Sequence, residues 1–246
     1  MARYVAKRLL WMIPITLGVA VLVFTLMTFC PGDPAEIILG STATEENLES
    51  LRQELGLNQP FFVRLGTFLS DTFLHFDLGN SWATGASVKD AILERLPRTL
   101  ILATTMMAIS FCIGVPLGIM AAIHQNQWQD NLCMTLALIG ISIPNFWLAL
   151  LLVLLFSVKL GWLPAMGIGG LQYYILPALA GCTGGIATSA RQTRSSMLDV
   201  IRSDYITTAR AKGVPEHQVI IKHALKNGMI PIITVMGTHF GKMLGG

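Results

Sequence analysis

Five long apolar runs, at residues 9–30, 99–123, 132–158, 175–193 and 229–246, constrain this chain more than any other feature. Each is close to the ~20 residues that carry a helix across a bilayer core. Backbone groups in lipid must bond within their own segment, so the runs predict helices. A chain with 53% hydrophobic residues, 13% charged residues and a mean hydropathy of +0.61 belongs with membrane proteins. The expected fold is an all-α polytopic integral membrane protein. Its charge, 17 basic against 14 acidic residues, leaves only +3 and gives no nucleic-acid footprint.

Where the charges sit says more than their sum. Arg3, Lys7 and Arg8 precede the first run, while Arg191, Arg194, Arg202, Arg210, Lys212, Lys222 and Lys226 lie at or near the loop that follows the fourth. With five spans both groups fall on one side, which the positive-inside rule makes cytoplasmic. The N-terminus is then cytoplasmic, and 31–98 and 159–174 lie outside. This gives an N-terminal transmembrane helix at 1–30, an external cap at 31–98 and a core domain at 99–246. The first run is too long for a signal peptide and has no small-residue cleavage site, so it reads as a retained helix. In the cap, Leu48, Leu51 and Leu55, then Phe61, Phe62, Leu65, Leu69 and Phe73, keep helical spacing, which predicts short folded helices.

Between the last two runs lies DYITTARAKGVPEHQVIIKHALKN, a basic stretch within 204–227. Asp204 to Lys212 predicts one short helix, with Tyr205 and Ala209 continuing a face begun by Leu198 and Ile201. Arg210 and Lys212 suit the negative end of its dipole. Gly213 stops it and Pro215 opens a second helix, whose apolar side is Val219, Ile220, Ala224 and Leu225 and whose end is Asn227-Gly228. The expected product is a helix–Gly–helix elbow.

Other candidates are weaker. No Walker A loop exists, because GTHFGKM at 237–243 has one residue too few and a methionine in the magnesium position. Any nucleotide energy must come from a partner. Gly237, Gly241 and Gly245 form a small-residue stripe suited to helix packing, as do Gly114/Gly118 and Gly181/Gly185. His239 and Lys242 are costly polar groups in an apolar run, so His239 is a candidate lining for a substrate path. Ser142, in a GxSx pattern, could take His239 as a base in an intramembrane serine protease. Against this, Ile143 and Pro144 break the pattern and no oxyanion donors are evident. The plainer account has Ser142 serving a carbonyl freed at a proline kink. Cys30, Cys112, Cys133 and Cys182 have neither CxxC nor metal spacing and read as inert, so neither a metal site nor a cofactor is expected.

Thr207, Thr208 and Ala209 followed by Gly213 resemble the EAA loop of ABC-importer permeases, and YITTARAKG at 205–213 is similar to the dipeptide/oligopeptide/nickel branch. PGDP at 31–34, ELGLNQP at 54–60, DLGNS at 77–81, RSSML at 194–198 and HALKN at 223–227 extend the resemblance over nearly the whole chain. Thr207 replaces the usual glutamate, and Lys226 stands where proline is common, with Pro231 five residues later. The resemblance implies a non-enzymatic permease subunit with six helices. The run ending at Gly245-Gly246 then reads as the fifth of them, in a chain truncated at its C-terminus.

It further implies a second, related permease subunit, a pair of ATP-binding subunits, an external substrate-binding protein and a bacterial or archaeal inner membrane. The coupling residues become Asp204, Tyr205, Thr208, Ala209, Arg210, Ala211, Lys212, Gly213 and Pro215. Tyr205, Ala209 and Ala211 supply packing area, Arg210 and Lys212 charge, and Gly213 the turn. Peptides or nickel chelates are the implied cargo, with SIPNFWLA at 142–149 and WLPAMGIGG at 162–170 more similar to the nickel members. A passive channel is the remaining alternative, but it has no need of the elbow.

Overall fold

The computed structural model describes residues 2–40 and 43–245, so Gly246 lies outside the described residues. The chain is helical almost throughout; among the described residues the only β pairing is an isolated bridge between Asn80 and Ser87. It divides into two units, Met1–Arg95 and Leu96–Gly246.

In the first unit, α1 (Ala2–Phe29) is apolar beyond Arg3, Lys7 and Arg8 and has no buried residue in its most apolar window, as suits a surface meant for lipid. Short helices follow: α2 (Pro34–Leu39), α3 (Glu45–Glu54) and α4 (Phe61–Ser70), the last continued by a π-helical turn at Asp71–His75. Asp33 caps α2 by accepting the Ala35 N–H at 2.9 Å, and Arg52 of α3 reaches Asp33, Glu45 and Glu49 at 2.6, 2.9 and 3.3 Å. That network ties α2 to α3. The expected helices of the cap exist, but Leu48 is buried while Phe62 is 82% exposed. Phe62 departs because α4 turns Phe61 and Phe68 toward Phe24 of α1, at centroid distances of 5.8 and 5.1 Å, leaving the adjacent position outside. From there α4 runs back along α1. A cavity of about 750 Å³ lies between Met12–Leu17 of α1 and Gly66–Leu74.

In the second unit, α5 (Val88–Ile123, entered from the first) is followed by α6 (Trp128–Ser142), α7 (Asn145–Leu152) with a π-helical end at Val153–Lys159, α8 (Gln172–Gly181) and α9 (Thr183–Ile201). Then come α10 (Asp204–Ala211) and α11 (Glu216–Gln218), a π-helical stretch at Val219–Leu225 and α12 (Lys226–Gly245). Among the described residues three helices are long and apolar enough to cross a membrane: Arg3–Phe29, Val88–Ile123 and Glu216–Gly245. A fourth span exists if Trp128–Ser142 and Asn145–Lys159, bent by 93° where Ile143 and Pro144 interrupt the helix, count as one.

The 175–193 run, expected as a span of its own, differs. It is divided between α8 and α9, and α9 carries Thr183, Ser189, Arg191, Gln192, Thr193, Arg194, Ser195 and Ser196. The reason is its position in the middle of the unit, packed against α6 and α12. It buries Gly185, Ala187, Ser189, Ala190, Thr193, Ser196 and Met197, mostly small residues. Its neighbours are protein, so small size matters more than apolarity. A Cβ on Gly114 would lie 2.7 Å from the Ile186 carbonyl oxygen, and one on Gly118 would lie 2.5 Å from that of Ala190. Two of the small-residue stripes thus permit close α5–α9 packing, since a Cβ on Gly185 would meet Ser110. The third, Gly237, Gly241 and Gly245, meets nothing within 4 Å among the described residues.

Candidate functional site

The elbow forms as its residues dictate, with one difference in where it ends. Ser203 opens α10 in extended conformation, and Thr208 Oγ1 donates to the Asp204 carbonyl at 2.9 Å. At the other end Gly213 takes φ +76°. Its N–H reaches Arg210 O at 2.9 Å, and the Val214 N–H reaches Ala209 O at 3.3 Å. These two bonds are the Schellman pattern, which needs a left-handed residue where Gly213 stands. Pro215 then precedes Glu216 as the N-cap of α11. The expected stop at Asn227-Gly228 is absent, because α11, the π-helical stretch and α12 run on as one helix over Glu216–Gly245. Asn227 does not cap: its Nδ2 donates to Tyr205 Oη at 2.9 Å and to the His223 carbonyl at 3.2 Å. Gly228 stays helical and buried beside Met197 and Ser196.

The inward face is also rotated from the sequence reading. Ile206, not Tyr205, is the anchor. It is fully buried with Met197, Val219, Ile220, Ala224 and Ala122, and Ala209 and Val214 pack against the same cluster. Tyr205 is 44% exposed. Reading Tyr205 and Ala209 as one continuing face carried the phase of α9 across the break at Arg202 and Ser203, where the helix restarts. Of the nine candidate coupling residues, Ala209 is half-buried and Asp204, Tyr205, Thr208, Arg210, Ala211, Lys212, Gly213 and Pro215 are exposed. The eight exposed residues lie outside a closed core on which Ala209 packs.

The electrostatics of these exposed residues are uneven. Arg210 forms a two-point ion pair with Glu216 across the turn, Nη2–Oε1 at 2.6 Å and Nε–Oε2 at 3.1 Å. The Glu216 carboxylate, by accepting these bonds, holds the Arg210 guanidinium charged more firmly than usual. Lys212, Lys222 and Lys226 are exposed on the same stretch. Behind the elbow, Arg194 of α9 grips Asp130 at the start of α6 with two bonds of 2.6 Å. Asp130 also accepts the Asn126 N–H at 3.0 Å, and Arg202 donates to Gln125 Oε1 at 3.0 Å. The turn between α5 and α6 is therefore tied to both α9 and the entry of α10. Sequence reading took Asn227 for a helix end and missed Asp130 and Glu216. The available signal was opposite charge on the same expected side of the membrane: an acid opening one run and an arginine closing another.

The other candidates do not assemble into a site. Ser142 Oγ donates to the Leu138 carbonyl at 2.9 Å, so it serves its own helix. The carbonyl it serves is not that of Gly140, four residues before Pro144, which the proline-kink account would require. His239 is half-buried on α12. The cavity of about 280 Å³ that reaches α12 touches Met243 rather than His239, and its other lining includes Thr99, Tyr173, Tyr174 and Pro177. Among the described residues no cluster of three His, Cys, Asp or Glu could hold a metal ion.

Residues 114–246 match the family described as "Binding-protein-dependent transport system inner membrane component", and residues 1–103 match its N-terminal companion. A putative peptide transport system permease protein of Brucella abortus (strain 2308) is 45% identical over 254 residues, covering all of this chain and 81% of the relative. The glutathione transport system permease protein of Escherichia coli (strain K12) is 46% identical over 246 residues, covering all of this chain and 80% of the relative.

Proposed function

The chain belongs to the binding-protein-dependent transport inner-membrane family and is a multi-pass permease subunit of an ABC importer, and from that premise we propose that 204–227 is the surface through which partner ATPases drive it. The observation that carries the proposal is the elbow itself: an exposed, Schellman-capped α10 seated by Ile206 on a core shared with α9, α5 and the base of α12. A partner that displaces α10 displaces those helices with it, a rigid-body route to alternating access. In this scheme Tyr205, Thr208 and Ala211 give contact area, Lys212 gives charge, and Gly213 and Pro215 fix the angle.

The same reading places the N-terminus and the elbow in the cytoplasm, with 1–30 as an anchoring helix, 31–98 as an external cap and 99–246 as the translocating core. It supplies a related second permease subunit, a pair of ATP-binding subunits and an external binding protein as partners. The cargo is a small peptide of the dipeptide-to-glutathione class. The relatives' names speak for peptides and glutathione, and they lend no support to the preference for nickel or to the protease and channel alternatives.

Co-purification in mild detergent tests the docking. An ATPase recovered with the chain and lost on Lys212→Glu supports the elbow; recovery unchanged by Lys212→Glu and by Gly213→Val removes it. Uptake of labelled glutathione, a dipeptide and a nickel chelate by the reconstituted complex decides the cargo.

A further inference from the structure

Arg210 combines two properties that do not fit a simple docking cation. It lies on the exposed face, yet one edge of its guanidinium is held at two points by Glu216. The pair closes a ring over residues 210–216, and at the middle of that ring is the left-handed Gly213. Arg210 lies in the last turn of α10 and Glu216 begins α11, so the pair spans the non-helical turn between them. A second tie, Asn227 Nδ2 to Tyr205 Oη, joins the other end of α10 to the start of α12.

We propose that Arg210 and Glu216 are a positioning pair that fixes the angle between α10 and the helix continuing into α12, so that force applied to α10 reaches the membrane helix without loss at the turn. This rests on the reading of 204–227 as the coupling elbow. The chemistry suits a geometric role. A planar guanidinium gripping a carboxylate at two points sets orientation as well as distance, which a single ammonium cannot do. With its two partners 40% and 56% exposed, the pair adds little to global stability. Variants should therefore fold and insert, and their defect should be local.

A charge swap separates this role from direct docking. Arg210→Glu, Glu216→Arg and the double exchange are made in the full chain, purified with whatever ATPase accompanies it, and followed by amide hydrogen exchange at Gly213 and Val214 together with ATPase recovery. A positioning pair predicts that each single reversal speeds exchange at those two amides by about two- to fivefold. Each should also lower ATPase recovery, and the double exchange should restore both readouts. Arg210→Lys should fall between wild type and Arg210→Glu, since it keeps charge and loses the two-point grip.

Three results overturn parts of the argument. Wild-type exchange in both single variants overturns the pair. So does a double exchange as impaired as Arg210→Glu with Glu216→Arg harmless, which marks Arg210 as touching the ATPase itself. Faster exchange in the singles, restored in the double, with recovery unmoved in all three, supports the pair and overturns the coupling reading beneath it.

Discussion

Gly213 is the position where a single substitution discriminates most sharply between backbone geometry and side-chain bulk. Its φ of +76° lies in the left-handed region, and a Cβ built there meets nothing within 4 Å. Any cost of substitution in this chain alone therefore comes from the backbone. Holding a non-glycine residue in that region costs about 1–3 kcal/mol, most for a β-branched side chain and least for asparagine. Escaping the strain means giving up the bonds from Gly213 N–H to Arg210 O and from Val214 N–H to Ala209 O, worth roughly 1 kcal/mol each. Either way α10, only eight residues long, loses its C-terminal cap, and a helix of that length does not hold in water without tertiary support.

Amide hydrogen exchange across 204–214 in detergent reads this loss directly. Gly213→Asn should exchange within about twofold of wild type, Gly213→Ala about fivefold faster and Gly213→Val about tenfold faster, the last corresponding to roughly 1.4 kcal/mol of local opening. ATPase recovery should fall in the same order while expression stays normal. Gly213→Val exchanging like wild type would refute the left-handed constraint. Gly213→Asn losing the ATPase as completely as Gly213→Val, at unchanged exchange, would show that partner contact, not chain geometry, requires the glycine.

Other perturbations test other contacts. Gly118→Val should cost roughly 1–3 kcal/mol through its clash with Ala190 and Thr193, lowering the thermal midpoint in detergent. Gly241→Val, with open space around it, should leave that midpoint unchanged. Asp130→Asn strips Arg194 of its buried partner and should destabilise the second unit by about 2–4 kcal/mol; adding Arg194→Gln should recover part of that, and strict additivity in the chemical-denaturation midpoints would argue against the pairing. In the first unit, the Ala35 N–H and then Arg52 hold the Asp33 carboxyl below the usual carboxylate range. A lowered folded value means the contribution is complete above the unfolded value of about 3.9 and is lost as pH falls through the depressed one. Exchange at Ala35 should therefore stay flat from neutral pH down to about pH 4 after correction for intrinsic rates and rise only in stronger acid, and Asp33→Asn should abolish the rise.

What could be read from the sequence was what depends on local chemistry. Gly213, Pro215 and the apolar side at Val219, Ile220 and Ala224 announce the elbow because turn geometry and helical period are short-range properties. Ile206 and Tyr205 were exchanged in role because the phase of α10 is set by its restart at Ser203, a matter of one residue's dihedral angles. Asp130 and Glu216 escaped notice because an ion pair is a relation between positions, 64 residues apart in one case and six in the other. The 175–193 run meets a related limit: hydropathy treats every apolar stretch as facing lipid. Nothing in the composition of α9 says that its neighbours are α6 and α12.

That central, polar α9 also determines where the chain can bend. Ile206 is fully buried against Met197 of α9 and against Val219, Ile220 and Ala224 at the base of the last helix. Pulling α10 away from either helix re-exposes a whole isoleucine, at about 1.5–3 kcal/mol before the ion pair and the Tyr205–Asn227 bond are counted. A displacement of α10 is therefore cheaper to pass on than to absorb. The Asp130–Arg194 grip carries it to the start of α6, where Asp130 is only 3% exposed and cannot swing free. The first interruption of the helix backbone on that route is the 93° break at Ile143 and Pro144, beside which the Thr183–Asn145 bond, at 3.4 Å, is a long neutral one. Motion entering at the elbow should emerge there, as a change of angle between α6 and α7. Spin labels placed either side of Pro144 would detect it, and an angle that stays fixed while labels on α10 and α9 move together would locate the hinge elsewhere.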